Sequence, residues 1–221
     1  MKKSLITSVA ALAVGLFAFA ETNMIVKLNN GENVKFDVEN VKEVVFEEIH
    51  AAGNIPDIEE TGLQFEVSGT TAMVANGDYS KLDSAFIPSK VKIDGNVYTV
   101  TGIVNNAFYN CKSLTYLKVS GGVANMGVAT FSGCENLETV VLGDGIKKIS
   151  NSLFNGCASL SDINIPASVT EIDGFAFGSC TSLTSIDIPA NVTNIVEYAF
   201  ADCQNLASIN VDDKNPAYAS V

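Results

Sequence analysis

A 23-residue pattern runs through residues 100 to 214 five times without an insertion or deletion. Its clearest marks are Phe108, Phe131, Phe154, Phe177 and Phe200, each followed three residues later by Cys111, Cys134, Cys157, Cys180 or Cys203. Three residues beyond each cysteine stands Leu114, Leu137, Leu160, Leu183 or Leu206. A unit this small has no core of its own. Constant spacing therefore restricts the chain to architectures in which each unit stacks on the next and buries its apolar face there.

After the leucine, each unit carries two apolar positions at alternating spacing: Leu117 and Val119, Val140 and Leu142, Ile163 and Ile165, Ile186 and Ile188, Ile209 and Val211. Alternation puts each pair on one face of a short strand, so the stacked units are predicted to form a parallel sheet. The unit then turns at Pro166 or Pro189, or at Gly121-Gly122 and Gly143-Asp144-Gly145, where no ladder hydrogen bond is needed. A second apolar pair opens the next unit: Val100 and Ile103, Val123 and Met126, Ile146 and Ile149, Val169 and Ile172, Val192 and Ile195. The stretch from that pair to the cysteine, such as residues 197 to 203, reads as one helical or 3₁₀ turn. About eight of every 23 positions face inward, and each large side chain fully buried is worth about 1.5–3 kcal/mol against exposure. Five aligned units thus support a continuous core. The expected fold is a mainly β repeat solenoid with short helical or 3₁₀ turns.

The run from Leu183 to Ile195, followed by Ala199-Phe200-Ala201-Asp202-Cys203, resembles the BspA-type leucine-rich repeats of exported and surface proteins of anaerobic bacteria. The resemblance extends over residues 82 to 221. It implies a right-handed leucine-rich-repeat coil of 23-residue units with a parallel sheet on one face, and a function in surface attachment or protein binding. It implies no chemistry. Familiar leucine-rich repeats keep an asparagine ladder just after the strand; here that place holds Gly122, Gly145, Ser168, Asn191 and Lys214, so only Asn191 is suited to it.

Residues 1 to 20 have the pattern of a secretory signal, with basic Lys2 and Lys3, an apolar stretch from Leu5 to Phe19, and small residues at Ala18-Phe19-Ala20 before Glu21. No cysteine follows the apolar run, which argues against lipid attachment. The run is short for a membrane span and no second one exists, so the mature chain has no expected transmembrane segment. Residues 21 to 48 alternate apolar and polar around Asn29-Asn30-Gly31 and are predicted as a small β hairpin element, with a third strand at Val44 and Phe46. Residues 49 to 61 read as a linker. Residues 62 to 99 form an N-terminal cap with a degenerate first repeat: Leu82 to Val91 matches the strand half of a unit, and a nine-residue insertion containing Asp94-Gly95-Asn96 follows. Residues 215 to 221 read as an incomplete C-terminal cap or a truncated continuation.

The chain has no arginine, and its formal net charge is −12. Nucleic-acid binding draws its affinity from neutralised phosphates, which argues against it here. The five cysteines are expected as a buried ladder of free thiols, because equivalent side chains on consecutive units point the same way and a disulfide needs facing Cβ atoms. A row of one ligand per unit does not converge on a metal either. His50 is the only histidine, placed in the linker without a serine or cysteine partner, which argues against a catalytic triad or dyad. No catalytic residue, metal or cofactor is expected.

One surface remains as a candidate site. The outward positions of the predicted sheet are Tyr116 and Lys118, Thr139 and Val141, Asp162 and Asn164, Ser185 and Asp187, Ser208 and Asn210. Their spacing makes a rigid stripe suited to a protein partner, such as a host extracellular or cell-surface protein. The expected role is that of a secreted or surface-displayed adhesion module, with the periplasm as the other exported destination. A structural spacer within a longer surface protein fits the same residues.

Overall fold

The computed structural model describes residues 55–220, together with the backbone of three earlier strands, β1 (Ala18–Ala20), β2 (Asn23–Lys27) and β3 (Asn33–Asp37). The chain divides into two compact units, residues 1–52 and residues 53–221.

In the first unit, the three strands form one antiparallel sheet in the order β1-β2-β3. β2 and β3 pair antiparallel from Asn23↔Asp37 to Lys27↔Asn33. The third strand is Ala18–Ala20, paired from Ala18↔Ile25 to Ala20↔Asn23, at the place where the export signal was expected to end. The strand expected at Val44 and Phe46, the Asn29-Asn30-Gly31 turn and His50 lie outside the described residues.

The second unit opens with one helical turn, α1 (Ile58–Thr61), where a linker was expected. Two features anchor it. The Glu60 carboxylate accepts a hydrogen bond from the Asp57 amide at 3.2 Å, and the Lys92 amide donates to the Pro56 carbonyl at 2.8 Å. Ile58 then packs against the core.

The cap follows as two hairpins. β4 (Phe65–Ser68) and β5 (Thr71–Val74) pair antiparallel. β7 (Lys90–Ile93) and β8 (Asn96–Ile103) pair around Asp94 and Gly95, whose φ values of 49° and 78° are those of a type I′ turn. The nine-residue insertion is thus a hairpin arm whose returning strand, β8, runs directly into the first regular unit.

From there the units stack in two rows of parallel strands. The first row joins β6 (Ser84–Ile87), β9 (Tyr116–Val119), β11 (Thr139–Leu142) and β13 (Asp162–Ile163); β15 (Ser185–Ile188) and β17 (Ser208–Val211) form a separate pair. The second row was not anticipated. It joins the end of β8 to β10 (Asn125–Met126), and β12 (Lys148–Ile149) to β14 (Glu171–Ile172) and β16 (Asn194–Ile195). Each of its strands after β8 is two residues long, too short to show an alternation in the sequence.

Between the second row and the cysteine, each unit makes tight turns rather than a helix. The amides of Phe108 and Phe131 donate to Thr130 and Leu153 of the next unit, while those of Cys111 and Cys134 donate back three residues to Phe108 and Phe131. Left-handed residues interrupt any 3₁₀ run: Asn106, Ala129, Ser152, Phe175 and Tyr198 at one position, and Asn110, Gly133, Ser179 and Asp202 at another. Close approach of the units also demands glycine at Gly143, where a Cβ would strike the backbone of Ser120 and Gly121.

The core is a set of ladders. Phe108, Phe131, Phe154 and Phe177 are fully buried, and their rings stack at centroid distances of 5.0, 5.7 and 5.7 Å. Tyr79 of the cap stacks on Phe108 at 4.4 Å. Its hydroxyl donates to the Ala75 carbonyl at 2.8 Å and accepts from the Gln64 amide at 3.1 Å. The ladder is therefore closed at this end by an aromatic ring that carries its own hydrogen-bond partners.

Candidate interaction surface

Strands β6, β9, β11 and β13 stand in register, so Ser84, Tyr116, Thr139 and Asp162 align in one column, and Phe86, Lys118 and Val141 in another. Alternate residues of β6, β9 and β11 are buried, which leaves both columns on the outward face. The period continues them through Asn164, Ser185, Asp187, Ser208 and Asn210. The stripe is not uniform along its length. Tyr116, Lys118, Thr139, Val141 and Ser208 are half-buried, whereas Asp162, Asn164, Ser185, Asp187 and Asn210 are exposed.

The first part of the stripe is aromatic and cationic. Lys118 Nζ lies 5.8 Å from the centre of the Phe86 ring, a cation–π geometry worth about 0.5–1 kcal/mol at an exposed site. Phe86 was missing from the sequence reading, although it occupies in the degenerate first repeat the place of Lys118. Burial pushes the Tyr116 phenol up from its ordinary value.

In the second part, side chains serve the stack itself. Asn164 accepts from the Leu142 amide at 2.9 Å and donates to the Leu142 carbonyl at 3.0 Å. Its amide thus takes over both hydrogen bonds of a strand residue, where β13 has already ended. Asn210 donates to the Asp187 carboxylate at 2.8 Å. No ladder joins β13 to β15, so Asp162 and Asp187 belong to separate strand groups.

The asparagine-ladder position needs one correction. Asn191 donates to the Ala167 carbonyl at 2.7 Å as expected of it, but Ser168 also serves, donating to Ile146 at 2.8 Å and accepting from Gly145 at 3.0 Å. A hydroxyl is long enough because the preceding unit presents Gly145 there, with no side chain between.

The cysteines are free thiols, and four of them have a defined partner. Cys134, Cys157, Cys180 and Cys203 each donate to the carbonyl of the phenylalanine one unit back, Phe108, Phe131, Phe154 and Phe177, at 3.1, 3.2, 3.3 and 2.9 Å. That carbonyl also accepts the amide of its own unit's cysteine. Thiol and amide together satisfy both lone pairs of a buried oxygen. Burial pushes the Cys134 thiol up to about 12 and raises Cys157 and Cys180 strongly as well. Thiols held so far from ionisation are poor nucleophiles.

Elsewhere, a shallow depression of about 530 Å³ lies on the second row between Met73, Asn125 and Lys148. Lys148 is bound to Asp173 at 2.9 Å and to Glu171 at 3.4 Å. Among the described residues no group of histidine, cysteine or carboxylate side chains is placed to hold a metal ion, and no helix is long and apolar enough to cross a membrane.

A model of the BspA-type leucine-rich repeat region matches residues 101–218 with six copies. The chain belongs to that family. Among solved structures it is similar to a leucine-rich repeat protein of T. pallidum, at 32% identity over 66% of this chain and 67% of that one, with a TM-score of 0.60. It is also similar to a leucine-rich repeat protein from Bacteroides ovatus, at 29% identity over 66% of this chain and 39% of the other, with a TM-score of 0.62. No curated protein matches the chain in sequence. BspA-type repeats are typically surface-associated modules for protein interaction rather than enzymes, and the mainly β repeat fold with parallel strands agrees with such membership.

Proposed function

We propose that this BspA-type chain is exported and binds a protein partner, a host extracellular or cell-surface protein, through the outward face of its first strand row. One observation carries the reading: Phe86, Tyr116, Lys118 and Val141 lie side by side on three hydrogen-bonded strands. Aromatic side chains, half-buried and held by a rigid sheet, lose little freedom on binding, and tyrosine is among the residues that carry most of the energy in protein interfaces. The acidic and amide groups further along the stripe then act as a polar rim.

Export rests on the pattern of Lys2, Lys3 and the apolar run to Ala20. Cleavage before Glu21 would remove β1 and leave β2 and β3 as a hairpin. Mass spectrometry of the exported product tests this, with Glu21 as the expected first residue.

The binding test uses residues 21–221 against a panel of extracellular-matrix and cell-surface proteins. A variant with Phe86, Tyr116 and Lys118 all changed to alanine is run beside it, with circular dichroism as the folding control. Saturable binding lost in the folded variant supports the reading. Binding that survives the triple change moves the site off this face.

A spacer role has one observation in its favour. Asn164 and the Asn210–Asp187 pair spend their polar groups on neighbouring units, as residues that only hold a stack together would. Absence of binding across the panel, with display of a fused partner domain lost on deleting residues 100–214, would favour this second role.

A further inference from the structure

Two bulky aromatic residues stand on the turn edge of the last units, away from the strand-row stripe. Phe175 and Tyr198 are 44% and 65% exposed, and their rings stack at 5.5 Å with 9° between planes. Val196, 37% exposed, precedes Tyr198 by two residues. Both aromatics have left-handed backbone, φ 56° and 66°, which disfavours side chains of this bulk. Asn106, Ala129 and Ser152 fill the same place in earlier units, so the turn itself does not call for a ring. Neither ring belongs to the buried core. A strained backbone that holds an exposed aromatic pair is the kind of outlier that points to binding.

The surrounding charge narrows the occupant. Glu197 and Asp202 lie within four residues of Tyr198 in sequence. Lys148, the cation on the neighbouring strand, is already engaged by Asp173 and Glu171. The chain as a whole carries −12 and no arginine, which opposes a second copy in the same place. The opposite pairing is already used once in the molecule, where Lys118 sits over Phe86. We propose that the Phe175–Tyr198 edge is a second interaction surface, which takes a lysine- or arginine-bearing segment of a partner protein. The cation lies over the ring faces and the flanking carboxylates complete its charge pairing.

The probe is a short synthetic peptide of alternating arginine and glycine, titrated at low ionic strength into residues 21–221 and followed by NMR of the tyrosine ring resonances. Its aspartate-for-arginine counterpart is the control. Wild-type protein is expected to bind the arginine peptide, with the Tyr198 resonances shifting, and to ignore the aspartate peptide. Changing Phe175→Asn and Tyr198→Asn together should weaken binding about ten-fold and keep the fold, because asparagine is at home in a left-handed turn. Tyr198→Phe should retain binding. The paired change Asp162→Asn and Asp187→Asn, on the strand-row stripe, should leave it unchanged. No binding by wild type overturns the proposal, as does binding that the asparagine pair leaves intact or that the stripe change reduces equally. A neutral oligosaccharide that shifts the Tyr198 resonances while the arginine peptide does not would also overturn it, in favour of a glycan. None of these outcomes bears on the Phe86–Lys118 face, which is read with its own variant.

Discussion

The two ends of the repeat array hold the same kinds of residue and treat them differently. At the N-terminal end, Phe108 is fully buried under Tyr79, and β5 of one hairpin and β7 of the other both pair with β8. At the C-terminal end, Phe200, Cys203, Leu206, Ile209 and Val211 occupy the ladder places yet are only partly buried. The segment beyond them docks through polar groups. Asn215 donates to the carbonyls of Pro189 and Val192 at 3.0 and 2.9 Å, Tyr218 accepts from the Ile195 amide at 2.9 Å, and Ser220 accepts from the Val211 amide at 2.8 Å. These contacts satisfy backbone groups but cover little apolar surface. Burial in such a fold is conferred by the neighbouring unit, so one residue type has a different energetic weight at each rung.

The sharpest way to break that comparison is to truncate the same rung in two places. Phe154→Ala removes a ring packed on both faces by Phe131 and Phe177, and should destabilise the array by about 3–5 kcal/mol. Phe200→Ala removes a ring stacked on Phe177 alone, and about 1–2 kcal/mol is expected from its smaller buried area. Urea unfolding followed by circular dichroism reads both. Equal losses would mean that the C-terminal end is covered as well as the middle.

The cap offers the next test. Tyr79→Phe keeps the stack on Phe108 and removes only the hydroxyl, leaving the Ala75 carbonyl and the Gln64 amide without that partner. A loss of about 1–3 kcal/mol is expected, measured by the same urea midpoint. A neutral result would make Tyr79 a ring and nothing more, and would reduce the contrast between the ends to apolar cover.

How far the sequence alone could have led follows from these rungs. The inward ladders were legible because Phe, Cys and Leu recur at a fixed spacing, and each lands on the same wall of the core. Tyr79 was not, since it lies ahead of the period and acts through a hydroxyl whose partners are backbone. The second row of strands was hidden for a different reason. Its two-residue strands at Asn125, Lys148, Glu171 and Asn194 are specified by stacking, and the apolar residues beside them are spaced by three rather than two. On the stripe, the period located Tyr116, Lys118, Thr139, Val141 and Asp162, which stand in register on neighbouring strands, and its extension to the degenerate first repeat would have added Phe86. The bonding of Asn164 to Leu142 could not be read, because it depends on where β13 stops.

The thiols sharpen the comparison through pH. Burial raises the Cys134 thiol to about 12, and raises Cys157 strongly; burial raises Cys203 too, although that thiol is only partly buried. The unfolded chain ionises its thiols near pH 9. The interior thiols therefore contribute stability that is intact below that pH and is lost as pH climbs toward their folded values, because only the unfolded chain then releases protons. Alkaline unfolding should be reduced in Cys134→Ala relative to its own stability at pH 7. Iodoacetamide labelling read by mass spectrometry should modify Cys203 before Cys134, Cys157 or Cys180. Simultaneous labelling of all four would show that the C-terminal unit opens only when the whole array does.

The smallest effects are at the left-handed turn positions, where the backbone is common to every unit and the side chain is not. Ala129 has φ 52°, a region that disfavours any Cβ by about 1–2 kcal/mol. Glycine would relieve that strain, but it adds freedom to the unfolded chain worth about 0.5–1 kcal/mol, so Ala129→Gly should stabilise by about 0.5 kcal/mol. Gly133, four residues on with φ 76°, is the reverse case: a Cβ there would also run into the Asn110 side chain of the preceding unit, and Gly133→Ala should lower the urea midpoint. A gain from Ala129→Gly and a loss from Gly133→Ala would establish that both left-handed turn positions favour glycine. A loss from Ala129→Gly would mean instead that the Ala129 methyl is packed well enough to outweigh its backbone.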